Sequence, residues 1–253
     1  MKLSVAILIF NYEKHIERTL KSIKDWADEI VMIDSYSSDN TADIASKYGT
    51  VYKEEWKGDG PQYKSVVAKC KGEWILLIDQ DEVVTDKLKK EISDIVNNGS
   101  KYDVFKLRFL NNSFGKTLKF GNKFYRKSFF RNGFMDFEDR PLHAAFLSKG
   151  KLGNLKNCVI NYNYENLEEY FKKFQIYTTE GAETRFKKGK RGSIIKILMN
   201  PIFRFIKRYI FQLGFLDGFY GFLDAVLSSF YTFTIYSKLR LLNIENEKIK
   251  KNE

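Results

Sequence analysis

Cysteine is almost missing from this chain. Cys70 and Cys158 stand far apart, which excludes a disulfide framework and a cysteine-built zinc site and makes a reducing cytoplasm the expected setting. Also missing is any uncharged apolar run of about 18 residues, the length a spanning helix needs, so a soluble or peripheral protein is expected. The N-terminal "MKLSVAILIF" carries one lysine and a short apolar run, but "NYEKHIERTL" follows it without a small-residue cleavage site, and the run reads as a first buried strand. There is no internal repeat and no long linker.

What is present is apolar residue in quantity and an excess of positive charge. In 253 residues, 43% apolar content is ample for one large domain, alone or with an appendage. Lysine and arginine number 43 against 32 acidic residues, a formal charge of +11, which suggests an anionic partner: nucleic acid, an acidic membrane surface or a phosphorylated substrate.

The first hundred residues alternate strand-like and helix-like segments. Strands are expected at 3–10, 29–34, 50–54 and 73–79, and helices at 14–24, 40–47, 62–71 and 86–97. This alternation predicts an α/β fold with a mostly parallel sheet flanked by helices, and the lack of polar alternation in 3–10 and 74–78 agrees. Ligands of such sheets bind beyond the carboxyl ends of the strands, which places Phe10, Asn11, Asp34 and Asp79 along one rim. From 103 to 163 the segments turn short and β-rich, including "DVFKLRFL", "KFYRKSFFR" and "CVINYNY". Beyond 166 the pattern is helical, with Leu167, Tyr170, Phe171, Phe174 and Tyr177 on one face, and the last residues read as a solvated helix end or tail. Two domains are expected, 1–165 and a helical extension, 166–253.

The stretch "ILLIDQDEVVTD" runs from buried strand into Asp79, Asp81 and Glu82. Carboxylates at i and i+2 after a strand reach toward one point, and such hard oxygen donors suit Mg²⁺ or Mn²⁺, which in turn neutralises a diphosphate. The plainer reading is a strand-to-helix turn, with Glu82 and Asp86 at the positive end of the next helix and Thr85 as its cap; it is preferred for Asp86 and Thr85. In "DSYSSDNT" capping accounts for Ser37, Ser38, Asp39 and Thr41 and leaves Asp34 over, placed to accept from a base or ribose.

Together "LSVAILIFNYEKHIERTLKSI", "EIVMIDSYSSDNTADIA" and "GEWILLIDQDE" resemble the family 2 glycosyltransferases, whose nucleotide-sugar domain has the fold called GT-A. The segments "FYRKSFFRNGFMDFEDRPLHAAF" and "NLEEYFKKFQIYTTEGAETRFKKGKR" are similar to the subgroup that includes lipopolysaccharide core glucosyltransferases. The resemblance implies that Phe10 and Asn11 line a nucleotide pocket and that Asp34 contacts uracil or ribose. It implies that Asp79 and Asp81 form a D-x-D pair, Asp81 binding the metal directly and Asp79 nearer the ribose or a metal-bound water. The implied reaction is inverting transfer of glucose from UDP-glucose, and it needs a general base.

Two departures bear on that reading. Where relatives of the subgroup often show His-Glu, this chain has His143 and Ala144, which leaves Glu138 and Asp139 as candidate bases, with Asp136 beside them; they also read as surface turn charges next to Pro141. Where relatives carry Gln-Arg-Asn, it has Gln62, Tyr63 and Lys64, and Lys64 becomes the candidate for the diphosphate. A degenerate relative that binds nucleotide or glycan without turnover, acting as a membrane-associated assembly protein, is the competing reading. A sugar nucleotidyltransferase is disfavoured because "LIFNYEKH" has no glycine.

Residues 185–208 hold nine lysines and arginines and no acidic residue, interleaved with Ile, Leu, Met and Phe. Such a segment suits an anionic membrane surface and a lipid-linked glycan acceptor; its plain alternative is a packed helix with a solvated basic side. Asp217 and Asp224 interrupt the apolar stretch that follows and argue against a span. Nucleic acid is a poorer fit, since no nucleic-acid motif accompanies the charge.

Overall fold

The run of apolar residues at the N-terminus is buried on both sides. In the computed structural model, which describes residues 1–140 and 144–252 (side chains to 249), β1 (Leu3–Ile9) sends Leu3, Val5, Ile7 and Ile9 into one core cluster and Ala6 into another. The two clusters divide Ile30 and Met32 from Val31 and Ile33 in β2 (Glu29–Asp34) in the same way. They also divide Trp74, Leu76 and Ile78 from Ile75 and Leu77 in β4 (Trp74–Asp79). A strand covered on both faces shows no polar alternation, which is why these runs read as continuous.

The first unit comprises residues 1–110 and 124–162. Between its strands lie α1 (Ile16–Lys21), α2 (Thr41–Ser46), β3 (Thr50–Lys53) and α3 (Asp59–Ala68), and after β4 come β5 (Glu82–Val84) and α4 (Asp86–Asn98). The later strands are β6 (Val104–Ser113), β7 (Lys116–Thr117), β8 (Lys123–Arg131), β9 (Met135–Phe137), β10 (Phe146–Ser148) and β11 (Leu152–Tyr164). The sheet order is β3-β2-β1-β4-β8-β6-β11-β5, with β7 on β6 and a separate β9–β10 pair. β3, β2, β1 and β4 are parallel, while β8 joins β4 antiparallel.

Helix boundaries follow local chemistry. α3 begins at Asp59, ahead of the 62–71 expected from the apolar pattern, because Pro61 is tolerated in a first turn and Gly58 (φ 103°) supplies the left-handed entry. α4 is capped as expected: Thr85 Oγ1 accepts from the Leu88 amide.

The second unit comprises 111–123 and 163–253. It thus contains the segment around β7, which a division at 165 leaves with the first domain. Its helices are α5 (Leu167–Lys187), α6 (Ile194–Ile206) and α7 (Gly218–Asn252), with a π-helical turn at Lys207–Phe211 and a 3₁₀ turn at Gly214–Asp217 before α7. The apolar stripe of α5 differs from expectation. Tyr170, Phe174, Thr178 and Ala182, at steps of four, are buried, whereas Leu167, Phe171 and Tyr177 are exposed. The buried seam is the row that meets α7, where Phe174 stacks on Phe230 at 5.2 Å and the Tyr170 hydroxyl donates to Leu227 O at 3.0 Å.

Candidate functional site

Strand register sets the rim. Ile9 pairs with Asp34 and Leu8 with Asp79, so the carboxyl ends of β1, β2 and β4 finish side by side and Phe10, Asn11, Asp34 and Asp79 stand together. Gln80 clamps two of these ends: its Oε1 accepts from the Phe10 amide at 2.7 Å and its Nε2 donates to Phe10 O at 3.1 Å. Asn11 has φ 43° and joins the β2 end, its Oδ1 accepting from the Ser38 amide at 2.8 Å and its amide donating to Ser37 Oγ at 2.9 Å. Tyr36, a second left-handed non-glycine residue (φ 59°), exposes its ring here, as Phe10 does. Left-handed conformations at non-glycine residues are held only where neighbours enforce them.

Asp34 is wholly buried, and its carboxylate accepts from the amide and hydroxyl of Ser37. The residue that capping left over therefore has a local partner, one that stiffens the turn beyond β2. Asp39 accepts from the Thr41 amide at 3.0 Å ahead of α2, but the N-cap position itself is Asn40 and makes no side-chain cap hydrogen bond, which corrects the capping expected of Ser38 or Asp39.

The carboxylate cluster after β4 has its positive partner within the chain. Arg126 of β8 reaches Asp79 Oδ2 through Nη1 and Glu82 Oε2 through Nη2, both at 2.6 Å. Its Nε donates to Ser128 Oγ at 2.7 Å, and its guanidinium lies 4.5 Å from the centre of the Phe109 ring. Glu82 is 1% exposed and also accepts from the Asp79 amide at 2.7 Å. It is a strut beneath the turn, and the helix-terminus role considered for it is corrected. Burial pushes the Glu82 carboxyl well above the usual range while Arg126 pulls it back. Burial opposes the charge on Arg126, and Asp79 and Glu82 more than reverse that, holding it firmly cationic. Tyr63 of α3 is held neutral by the Asp79 carboxylate and by burial against Phe137 and Phe146.

Asp81 occupies the turn between β4 and β5, half-buried, with its backbone carbonyl accepting from the Tyr162 amide at 2.8 Å. Of the three carboxylates, Arg126 engages Asp79 and Glu82 directly. The carboxylates of Asp79 and Asp81 are hard oxygen donors of the kind that suit a divalent cation. Among the described residues no group of three or more His, Cys, Asp and Glu is arranged to hold a metal. Mg²⁺ is commonly held by one or two carboxylates together with substrate phosphates. The hard oxygens of Asp79 and Asp81 thus fit a cation that arrives with a diphosphate, with Asp79 fixed by Arg126.

The other candidates gather around the start of α3. Lys64 Nζ lies 3.9 Å from Asp136 Oδ1, so part of the charge expected at a diphosphate is met by that carboxylate. Glu138 Oε1 accepts from Arg140 Nε at 2.8 Å, and Asp139 is exposed. The segment 138–140 is pressed on α3: Gly60 N donates to Arg140 O at 3.2 Å, and a Cβ on Gly60 would fall 2.0 Å from Glu138 O. His143 lies outside the described residues; Ala144 is buried.

Reading the sequence missed Arg126, Tyr63 and Tyr36. For Arg126 a signal existed, an arginine inside a strand bound for the core together with three carboxylates needing a counter-charge. The antiparallel insertion of β8 beside β4 was not readable from strand order.

A family model described as "Glycosyl transferase family 2" matches residues 4–153. An uncharacterized glycosyltransferase of Rickettsia bellii is 30% identical over 96% of this chain and 88% of its own length. The lipopolysaccharide core biosynthesis glycosyltransferase LpsC of Rhizobium meliloti is 23% identical over 94% of this chain and 92% of its own. Among solved structures, residues 1–349 of S. aureus TarS in complex with UDP-GlcNAc share the fold, with a TM-score of 0.51 and 16% identity over 98% of this chain and 92% of that one.

Proposed function

The chain belongs to glycosyltransferase family 2 and is a nucleotide-sugar-dependent transferase of the GT-A fold, and from that premise we propose that it moves a single hexose, glucose from UDP-glucose, onto a lipid-linked lipopolysaccharide core or related surface glycan. The observation that carries the donor half is the rim. Asp79 and Asp81 stand at and just beyond the end of β4 as neighbouring hard oxygen donors, and the Phe10 and Tyr36 rings present flat faces of the kind on which a base stacks. The similarity to LpsC over nearly the whole chain supports the acceptor half.

On this reading Asp81 holds Mg²⁺ or Mn²⁺, which supplies positive charge to the leaving diphosphate and so favours the transition state over the ground state. Arg126 holds Asp79 in place through their 2.6 Å ion pair, and Lys64 adds a cation drawn from Asp136. Glu138 or Asp139 takes the acceptor hydroxyl's proton on the opposite face of the sugar, giving inversion.

The membrane part rests on α6. Ile195, Phe203 and Phe211 are 73%, 63% and 73% exposed, and Lys187, Lys188, Lys190, Arg191, Lys196 and Lys207 are exposed beside them. An apolar face with cations at its border suits an anionic bilayer surface, here the cytoplasmic face of the membrane.

Incubation of the purified protein with UDP-glucose and Mn²⁺ tests the activity. Slow hydrolysis in water, and transfer to a lipopolysaccharide core acceptor that falls at least tenfold in Glu138→Gln or Asp139→Asn, is the expected result. Retained nucleotide binding with no turnover on any acceptor supports the binding-protein reading instead, for which the Glu138–Arg140 ion pair is the relevant observation.

A further inference from the structure

The basic residues of 185–208 do not all face outward. Arg204 and Arg208 turn inward, with Tyr164, Tyr170, Asp224 and Tyr231, to line a cleft of about 240 Å³ whose walls all belong to the second unit. Its charged residues are two arginines and one aspartate. Asp224 is fully engaged: Oδ2 accepts from Arg208 Nη1 at 2.5 Å and Oδ1 from Asn122 Nδ2 at 2.8 Å, with the arginine and aspartate side chains each 14% exposed. Arg204 donates through Nε to the neutral Ser228 hydroxyl at 2.8 Å. The cleft therefore carries one net positive charge on a guanidinium whose fork is not matched by a carboxylate among its walls. Arg204 is half-buried, and desolvation together with the neighbouring Arg208 lowers its pKa from the ordinary arginine range, a cost that an anion beside it offsets.

The rest of the lining suits a sugar. Tyr164 and Tyr170 meet edge to face at 5.0 Å, offering aromatic surface to ring C–H groups; Asn163 and the Tyr164 phenol add polar groups to the wall, while the Tyr170 hydroxyl and the Asn122 amide are committed to Leu227 O and Asp224. Burial pushes the Tyr164 phenol up to about 12 and raises Tyr170 and Tyr231 as well, so all three phenols remain neutral. A volume below the roughly 300–1,000 Å³ of drug-sized pockets fits one ring and not a lipid chain.

We propose that this cleft is a second binding site, for a single sugar unit bearing one phosphate or carboxylate group, with Arg204 as the anion's partner. On the transferase reading that unit belongs to the acceptor glycan, and this last step alone rests on that reading. The binding itself does not, since a protein that binds no nucleotide can still fill the cleft.

Calorimetry on the full chain with glucose 6-phosphate, glucuronate, glucose and inorganic phosphate tests it. The expected result is binding of one or both charged sugars, with glucose and inorganic phosphate at least tenfold weaker. Arg204→Gln is expected to lose at least tenfold in affinity while keeping its helical circular dichroism. If Arg204→Gln fails to fold, Arg204→Lys, which keeps the charge and loses the planar fork, is expected to weaken binding about threefold or more. No binding of either charged sugar, inorganic phosphate binding as tightly as they do, or an unchanged affinity in the folded arginine variant overturns the proposal.

Discussion

Arg126 determines what the carboxylates after β4 can do. It joins Asp79 to Glu82, so these two are anchored beneath the rim. Breaking a buried pair leaves a charge uncompensated, typically at a cost of about 3–5 kcal/mol. Arg126→Gln is therefore expected to lose stability in that range in urea unfolding. The crowding of Asp79, Asp81 and Glu82 was legible as a demand for positive charge. That a guanidinium meets part of the demand was not, because Arg126 comes from a strand remote in sequence that enters the sheet antiparallel. Arg204, Arg208 and Asp224 make the same point: a basic run reads as surface until a helix turns two of its members inward.

At the scale of elements, the parallel strands were plain because both their faces are buried and their apolar runs stop at polar rim residues. Their register, which brings Ile9 against Asp34 and Leu8 against Asp79, follows from the pairing and makes the rim. Contacts made through a missing side chain were invisible, above all Gly60, whose hydrogen lets 138–140 approach α3. Gly60→Ala is expected to cost about 1–3 kcal/mol as an overpacking change and to reduce transfer more than nucleotide binding, since it displaces the segment that carries Glu138 and Asp139. For α5 the N-cap was not anticipated. Asn166 Oδ1 accepts from the Glu169 amide at 2.9 Å, and Asn166→Ala is expected to cost about 1 kcal/mol in thermal or urea unfolding.

At the scale of the molecule, the charge of +11 reads differently once the side chains are placed. Arg126 and Arg208 are spent inside on Glu82, Asp79 and Asp224, while Lys187, Lys188, Lys190, Lys196 and Lys207, in and around α6, are exposed. Among the described residues no single helix is long and apolar enough to cross a membrane, although the bent pair Ile194–Phe211 and Gly214–Ile249 meets that test jointly across a 70° break. Asp217 and Asp224, which broke the apolar pattern, hold 111–123: Asp217 accepts from the Lys119 and Phe120 amides at 3.0 and 2.8 Å, and Asp224 from Asn122. Co-sedimentation is expected with vesicles containing phosphatidylglycerol and not with phosphatidylcholine alone, and Ile195→Asp with Phe203→Asp is expected to abolish it. The central claim, that the rim of β1, β2 and β4 is a metal-dependent nucleotide site, is tested most directly by titrating UDP into the protein with and without Mn²⁺, in parallel with Asp81→Asn. The account predicts binding that requires Mn²⁺ and weakens at least tenfold, about 1.4 kcal/mol, in the variant; no metal-dependent binding of UDP or of any other nucleoside diphosphate, or an unchanged affinity in Asp81→Asn, would contradict it.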